Sequence, residues 1–209
     1  MVRRNLTELA RRLAAGFGQT SEANTFIPNY RKILTLLSSG KPLTPKQISE
    51  TIGVPYEEVS KFLRKLPSAE LDRKGNLVGM GLTLNPTSHK FIVNSHTLYT
   101  WCALDALMFP ALIEKPARVE SPCRTTGFRI RVDVTPTQVS HLDPTGAVVS
   151  LVVPQSDNVD VRQAFCEYVH FFSSRKAASH WLTKHPEGII LSVSDAFKVG
   201  RIITENLLI

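Results

Sequence analysis

Cys102 and Asp105 stand three residues apart in the stretch Tyr99-Thr-Trp-Cys-Ala-Leu-Asp-Ala-Leu-Met-Phe-Pro-Ala-Leu-Ile113, where Asp105 is the only carboxylate. If the stretch is helical, residues at that spacing are neighbours on one face. A thiol and a carboxyl would then project together from a segment apolar almost all the way round, the pattern of a buried helix. Burial disfavours the charged carboxylate and raises its pKa, so the pair offers a soft-metal ligand beside a potential proton donor. A structural reading stands beside this one. Free cysteine often only fills space in a core, and a lone aspartate in an apolar run serves as a helix cap or ion-pair partner.

Cys123 and Cys166 are the other two cysteines. Three thiols make no paired disulfide framework, and none has the close C-x-x-C spacing of a structural zinc site. They read as free thiols of a reducing compartment, either inert or converging on a soft metal. The N-terminus carries charge among its first apolar positions and has no signal-peptide pattern. No window approaches the roughly 18 apolar residues of a membrane span. The expected location is cytoplasmic, with no membrane partner.

The elements that must position these groups divide the 209 residues in two. Hydrophobic content of 43% is enough to bury a core. Residues 1–96 hold 14 Lys/Arg and 7 Asp/Glu, a net of +7, whereas residues 97–209 hold 11 of each, a net of zero. Asn5 to Gly16 has an amphipathic stripe of Leu6, Leu9, Ala10 and Leu13, and after a polar loop Tyr30 to Leu37 forms a second helix. Thr44, Pro45 and Gln47 spell an N-cap, a first-turn proline and a capping box for a third helix ending at Gly53. Pro55 starts a fourth, reaching about Leu66. Two short helices across a tight glycine turn are a helix-turn-helix signature. Glu70 to Val93 reads as strand, turn at Lys74-Gly-Asn and strand, which would serve as a wing. Residues 1–80 are therefore read as a winged-helix-like domain and residues 81–209 as a mixed α+β domain.

In the second half Pro110 is expected to kink or end its helix. Ala117 to Glu120 and the alternating Phe128 to Val134 read as strands, Asp143-Pro-Thr-Gly146 as a turn, and Ala147 to Val153 as an apolar strand. Pro154 to Asn158 is a loop. Val159 to Cys166 suggests a short helix, and Tyr168 to Phe172 a strand. Ser174 to His185 is helical in composition, Gly188 to Val193 a strand, and Ser194 caps a closing helix. Strands with interspersed helices make an α+β class.

The positive first half raises the question of nucleic acid. The leading end of the second helix of the helix-turn-helix would meet base edges. There the chain has Tyr56, Glu57 and Glu58, whose carboxylates repel phosphate. Arg31, Lys32 and the wing's Arg73 and Lys74 leave the question open; a helical scaffold with a solvated basic face is the better reading, and nucleic acid is not an expected partner.

Leu-Tyr-Thr-Trp-Cys102-Ala-Leu-Asp105, the Pro-Ala-Leu-Ile113 after it, Val-Ser-Leu-Val-Val-Pro154 and Val-Arg-Gln-Ala-Phe-Cys166 with the following Val-His-Phe-Phe172 resemble the bacterial organomercurial (alkylmercury) lyases. The resemblance covers the C-terminal half in order, and the helical N-terminus is similar to that family's winged-helix-like leader. It implies cleavage of the carbon–mercury bond to a hydrocarbon and Hg(II), with mercury detoxification as the purpose. It also implies Cys102, Cys166 and Asp105 as the essential residues and mercury ligands, with no tightly bound cofactor and an external thiol as co-reactant. Low-molecular thiols or mercuric reductase would take the product. The family's non-catalytic cysteine corresponds to Cys123. Where some members carry a further cysteine after the later catalytic one, this chain has Glu167.

That chemistry suits the residues. Soft Hg(II) prefers thiolates, and two thiolates on R–Hg push electron density toward carbon, which a nearby acid can then protonate. Trp101 could wall an apolar pocket for the organic group, although tryptophan is more often core. His170, four residues after Cys166, is read as a structural histidine. The alternative from another class is a thiol-based metal or redox sensor with a DNA-binding winged helix.

Overall fold

The computed structural model describes residues 5–15, 27–154 and 160–207. The loop expected at Pro154 to Asn158 lies almost wholly outside the described residues, as does most of the polar loop after the first helix.

The N-terminal helices form where local chemistry puts them: α1 (Leu6–Ala15), α2 (Tyr30–Leu37), α3 (Pro45–Ile52) and α4 (Tyr56–Lys65). Thr44 caps α3 through a complete capping box with Gln47, and Gly53 closes it in the left-handed conformation at φ 71°. The expected wing is the hairpin of β1 (Glu70–Leu71) and β2 (Leu77–Met80), its turn held by Asp72, which accepts from the Lys74 and Asn76 amides.

This hairpin does not stand apart as a free wing. β2 pairs with β3 (Leu82–Thr83), and the sheet continues through β5 (His96–Thr100), β4 (His89–Val93), β6 (Ala117–Pro122), β7 (Arg129–Val134) and β8 (Val139–Asp143), all antiparallel. The chain passes from β2 to β3 at Gly81, whose φ of 86° suits glycine. A Cβ there would lie 2.7 Å from the Tyr30 hydroxyl and 2.8 Å from the Phe109 ring. The two halves of the chain therefore share one sheet and close against each other at this point. A second sheet has the order β10 (Phe171–Phe172), β9 (Val148–Leu151), β11 (Ile189–Ser192).

Against β4 and β5 of the first sheet runs α5 (Ala103–Ile113), with nine of its eleven residues buried, as its all-round apolar sequence requires. Beside it runs the closing helix α8 (Val193–Leu207), which also packs on α1, while α2 covers α5 from the N-terminal side. A Cβ at Gly200 would come 2.9 Å from the Met108 Cβ, so glycine is what lets α8 approach α5 this closely. α6 (Val161–Ala164) and α7 (Arg175–Lys184) complete the described α-helices.

Several expectations need correction. Pro110 does not end its helix, which runs on to Ile113 and closes at Glu114 in the left-handed conformation. Cys102 is not inside the helix: Tyr99 and Thr100 belong to β5, and Cys102 is the N-cap. The closing helix begins at Val193, and the hydroxyl that accepts from its first turn is Ser192, not Ser194. β8 was not anticipated, because its Val-Ser-His-Leu-Asp sequence is short and half-exposed.

Candidate metal-binding and catalytic site

Cys102 leaves β5 in an extended conformation and caps α5. Its Sγ accepts from the Asp105 amide at 3.4 Å, and Asp105 Oδ2 accepts from the Cys102 amide at 3.2 Å. This is a capping box with a thiol in place of the usual hydroxyl. Proximity of the two groups thus comes from the helix start and not from a helical face.

Cys166 arrives from elsewhere in the chain. It opens a short 3-10 turn, Cys166–Tyr168, directly after α6, and its Sγ lies 4.0 Å from Asp105 Oδ2. The turn is fixed by Ser150, which donates to the Tyr168 carbonyl at 2.7 Å and accepts from the His170 amide at 3.0 Å. The Val169 carbonyl accepts from the Ala103 amide at 3.2 Å, joining the Cys166 turn to the first residue of α5. One ligand atom from each of Cys102, Asp105 and Cys166 falls within 4.8 Å of the others. Both thiols are buried, and only Asp105 of the three keeps appreciable accessible surface.

Electrostatics follow from that enclosure. Burial pushes the Asp105 carboxyl up to about 6, against the opposing pull of its hydrogen bonds with Cys102. Burial likewise raises the Cys102 thiol well above its ordinary value, helped by Cys166 and Asp105. For Cys166 the hydrogen bond with Cys102 pulls down, but burial and the Asp105 charge win and the thiol is raised. Near neutral pH the site therefore holds two protonated thiols beside a carboxyl able to change state. The Tyr30 hydroxyl, from α2, is raised by burial and then by the charges of Asp105, Cys166 and Cys102 in turn. Its hydroxyl donates to the Met80 carbonyl at 2.8 Å.

A cavity of about 630 Å³ reaches Cys166 and is walled by Trp101, Cys123, Arg124, Arg162 and His170 among others. Trp101 lines this cavity, but the other walls are largely polar and charged and do not form the apolar pocket of its functional reading. Cys123 stands outside the cluster, with its sulfur accepting from the Ser173 hydroxyl at 3.5 Å. Burial raises its pKa, but hydrogen bonds from Thr126 and Ser173 outweigh this and bring it down to about 7. His170 is also outside the cluster. Burial and Arg124 lower it to about 4, so its ring is neutral, packed edge-on against Phe172.

Sequence reasoning did not single out Glu70, Arg162 or Tyr30. Glu70 Oε1 accepts from Trp101 Nε1 at 2.7 Å and from Arg162 Nη1 at 2.5 Å. No local pattern could have found a carboxylate whose partners stand 31 and 92 residues away.

The architecture is that of a helix-turn-helix region joined to a β-rich domain carrying a Cys–Asp–Cys cluster whose ligand atoms lie within 4.8 Å of one another. Residues 82–205 match the family model described as alkylmercury lyase, and residues 7–81 the helix-turn-helix domain of alkylmercury lyase. The chain is 49% identical over 174 residues to an alkylmercury lyase of Bacillus cereus, covering 83% of this chain and 79% of that protein. It is 46% identical to the Staphylococcus epidermidis enzyme over 198 residues, 95% of this chain and 91% of that one. With the Pseudomonas putida protein of the same name it shares 38% over 202 residues, 97% and 95% of the two chains. A crystal structure of the mercury-bound form of MerB2 superposes with a TM-score of 0.75 at 24% identity, covering 98% of this chain and all of that one, and shows the same fold. The chain belongs to the alkylmercury lyase family.

Proposed function

We propose that the protein is an organomercurial lyase in which Cys102, Cys166 and Asp105 break the carbon–mercury bond by protonolysis. The observation that carries this reading is the convergence of two thiols and one carboxyl within 4.8 Å in a buried cluster. Two thiols select soft mercury over harder cations. The carboxyl completes the set with a group that can hold and give up a proton.

The substrate R–Hg⁺ is captured first by one thiol, with Cys102 assigned that role, and the proton released passes to Asp105. The second thiol then binds and loses its own proton to solvent, giving a mercury that carries carbon and two sulfurs. Electron donation from both sulfurs loads the carbon, and Asp105 delivers its proton there. A C–H bond forms as the C–Hg bond breaks, with the bonding pair going to carbon. Hg(II) remains on the two sulfurs. A carboxyl with a pKa of about 6 suits both halves of this task, because it is base enough to take the thiol proton and acid enough to return it.

External low-molecular thiols serve as co-reactants and remove Hg(II), directly or by way of a mercuric reductase. No tightly bound cofactor is needed. No described helix is long and apolar enough to cross a membrane, and we place the reaction in the reducing cytoplasm, where free thiols persist. The sensor alternative is not favoured: the family match extends through the helix-turn-helix region itself.

The test is incubation with methylmercury and excess thiol. Methane and inorganic Hg(II) are expected from the parent and no methane from Cys102→Ala. Tight mercury binding without any hydrocarbon would overturn the lyase reading.

A further inference from the structure

The two cysteine-bearing segments are tied together by a group that belongs to neither. Glu70 sits in β1, the outermost strand of the eight-stranded sheet. Its Oε1 receives the Trp101 indole N–H at 2.7 Å and the Arg162 guanidinium at 2.5 Å. Its Oε2 receives the Thr83 hydroxyl and the Asn85 side-chain amide, each at 2.6 Å. Trp101 immediately precedes Cys102. Arg162 lies on the short helix that leads into Cys166, and its guanidinium also covers the Trp101 ring at 5.1 Å. Burial alone would raise the Glu70 carboxyl, but the hydrogen bonds from Thr83, Asn85 and Trp101 and the Arg162 charge outweigh it and keep it ionised. A carboxylate with four donors on its two oxygens, its side chain only 15% exposed, is held in one place.

We infer that Glu70 is a positioning residue of the lyase centre: by holding Trp101 and Arg162 in one cluster, it sets the spacing of the Cys102 and Cys166 sulfurs. The inference rests on the lyase reading above. α6, with four residues, has little structure of its own to place Cys166. Arg162 is its anchor to the first sheet, and Glu70 is what the anchor grips. The N-terminal half of the chain thereby contributes to the geometry of a site whose three reactive groups all come from the second half. Outer groups that orient metal-binding side chains typically matter by about 10–100-fold in affinity or activity when removed.

Glu70→Gln is the primary variant, isosteric but unable to accept from both Arg162 and Asn85 as the carboxylate does. Trp101→Phe is the second, removing one of the four donors while leaving Glu70 in place. Thermal unfolding first establishes that each is folded. Two quantities are then read: the rate of hydrocarbon release at saturating organomercurial, and the concentration of competing thiol that strips Hg(II) from the protein. Glu70→Gln is expected to lower the rate about tenfold or more and to release mercury at about tenfold lower thiol. KM should move much less, and Trp101→Phe should fall between parent and Glu70→Gln. With Arg162→Met added, the double variant should be no worse than the poorer single, because both act through one contact. A folded Glu70→Gln within twofold of the parent in both readouts overturns the inference, and so do losses that simply multiply. If the parent releases no hydrocarbon, the lyase reading fails by itself. The mercury-release comparison then still decides whether Glu70 sets the two sulfurs.

Discussion

Cys102 and Cys166 are held in the same cluster by opposite means. Cys102 is placed by its own neighbours: the end of β5, the start of α5, and a capping box that spans three residues. Cys166 is placed by residues 16 to 96 positions away, through Ser150, through the Ala103–Val169 contact, and through the Arg162–Glu70 pair. One thiol is a consequence of local backbone geometry, whereas the other is a consequence of the whole fold. Damage near Cys102 should therefore change chemistry and spare structure. Damage around Cys166 should change both together.

The largest effect expected is from Cys102→Ser. Serine is a better N-cap than cysteine, so the box with Asp105 should survive, and stability should stay within about 1 kcal/mol of the parent. The hydroxyl is a hard, poorly ionised ligand for mercury. Hydrocarbon release should fall below detection in a protein whose melting curve is nearly unchanged. A large loss of stability would show that the thiol holds α5 in a way the capping geometry does not reveal.

Asp105→Asn comes next and divides the comparison by pH. The general-acid role is worth about 10²–10⁴-fold, so turnover should drop by that order while Hg(II) still binds the two thiols. Stability should move the other way. The folded carboxyl, raised to about 6 from 3.8, binds its proton more tightly than the unfolded one. The charged form therefore costs stability, a cost absent below about pH 4, growing up to about pH 6 and constant above, of roughly 2–4 kcal/mol by linkage. Asparagine carries no such charge, so the variant should melt above the parent at pH 7, with the gap closing by pH 4. In the parent, mercurial capture should rise through pH 6 as Asp105 becomes able to accept the thiol proton. That rise should be missing in the variant. Melting curves and stopped-flow capture from pH 4 to 8 test both halves, and a parent capture rate flat through pH 6 would remove Asp105 from the base role.

What could be read from the sequence divides along the same line. α2, α3, the hairpin turn and α7 follow from caps, glycines and periodicity within a few residues, and all are where those signals put them. The nearness of Cys102 and Asp105 was legible from spacing, although its cause is a cap and not a helical face. Pro110 misled because its effect was judged locally: the lost amide bond leaves the Ala106 carbonyl short of a partner, yet packing on every side carries the helix to Ile113. The role of Ser192 was missed because the strand runs straight into α8, with no loop between β11 and the helix to mark the boundary. Cys166 joined the cluster in the sequence reading only through family resemblance. Nothing local specifies which of two distant thiols will meet Asp105, and Glu70 carries no signal at all until the sheet is formed.

A smaller pair of effects would sharpen the contrast. Ser150 and Thr100 both support a cysteine segment through one buried hydroxyl. Thr100 donates to the Cys102 carbonyl at 3.0 Å, but Cys102 keeps its capping box without it. Thr100→Val should lower hydrocarbon release no more than about threefold, because the lost bond is worth about 1 kcal/mol and leaves the thiol's position intact. Ser150 both donates to Tyr168 and accepts from His170, bracketing the turn that carries Cys166. Ser150→Ala leaves a part-buried carbonyl and a part-buried amide without that partner, at a cost of about 1–3 kcal/mol, and frees the turn to drift. Its activity should fall further than that of Thr100→Val, by about tenfold, and its Hg(II) should be stripped at lower competing thiol. Equal losses from the two variants would mean that Cys102 depends on tertiary support as much as Cys166 does, and that the capping box does not by itself hold the first thiol.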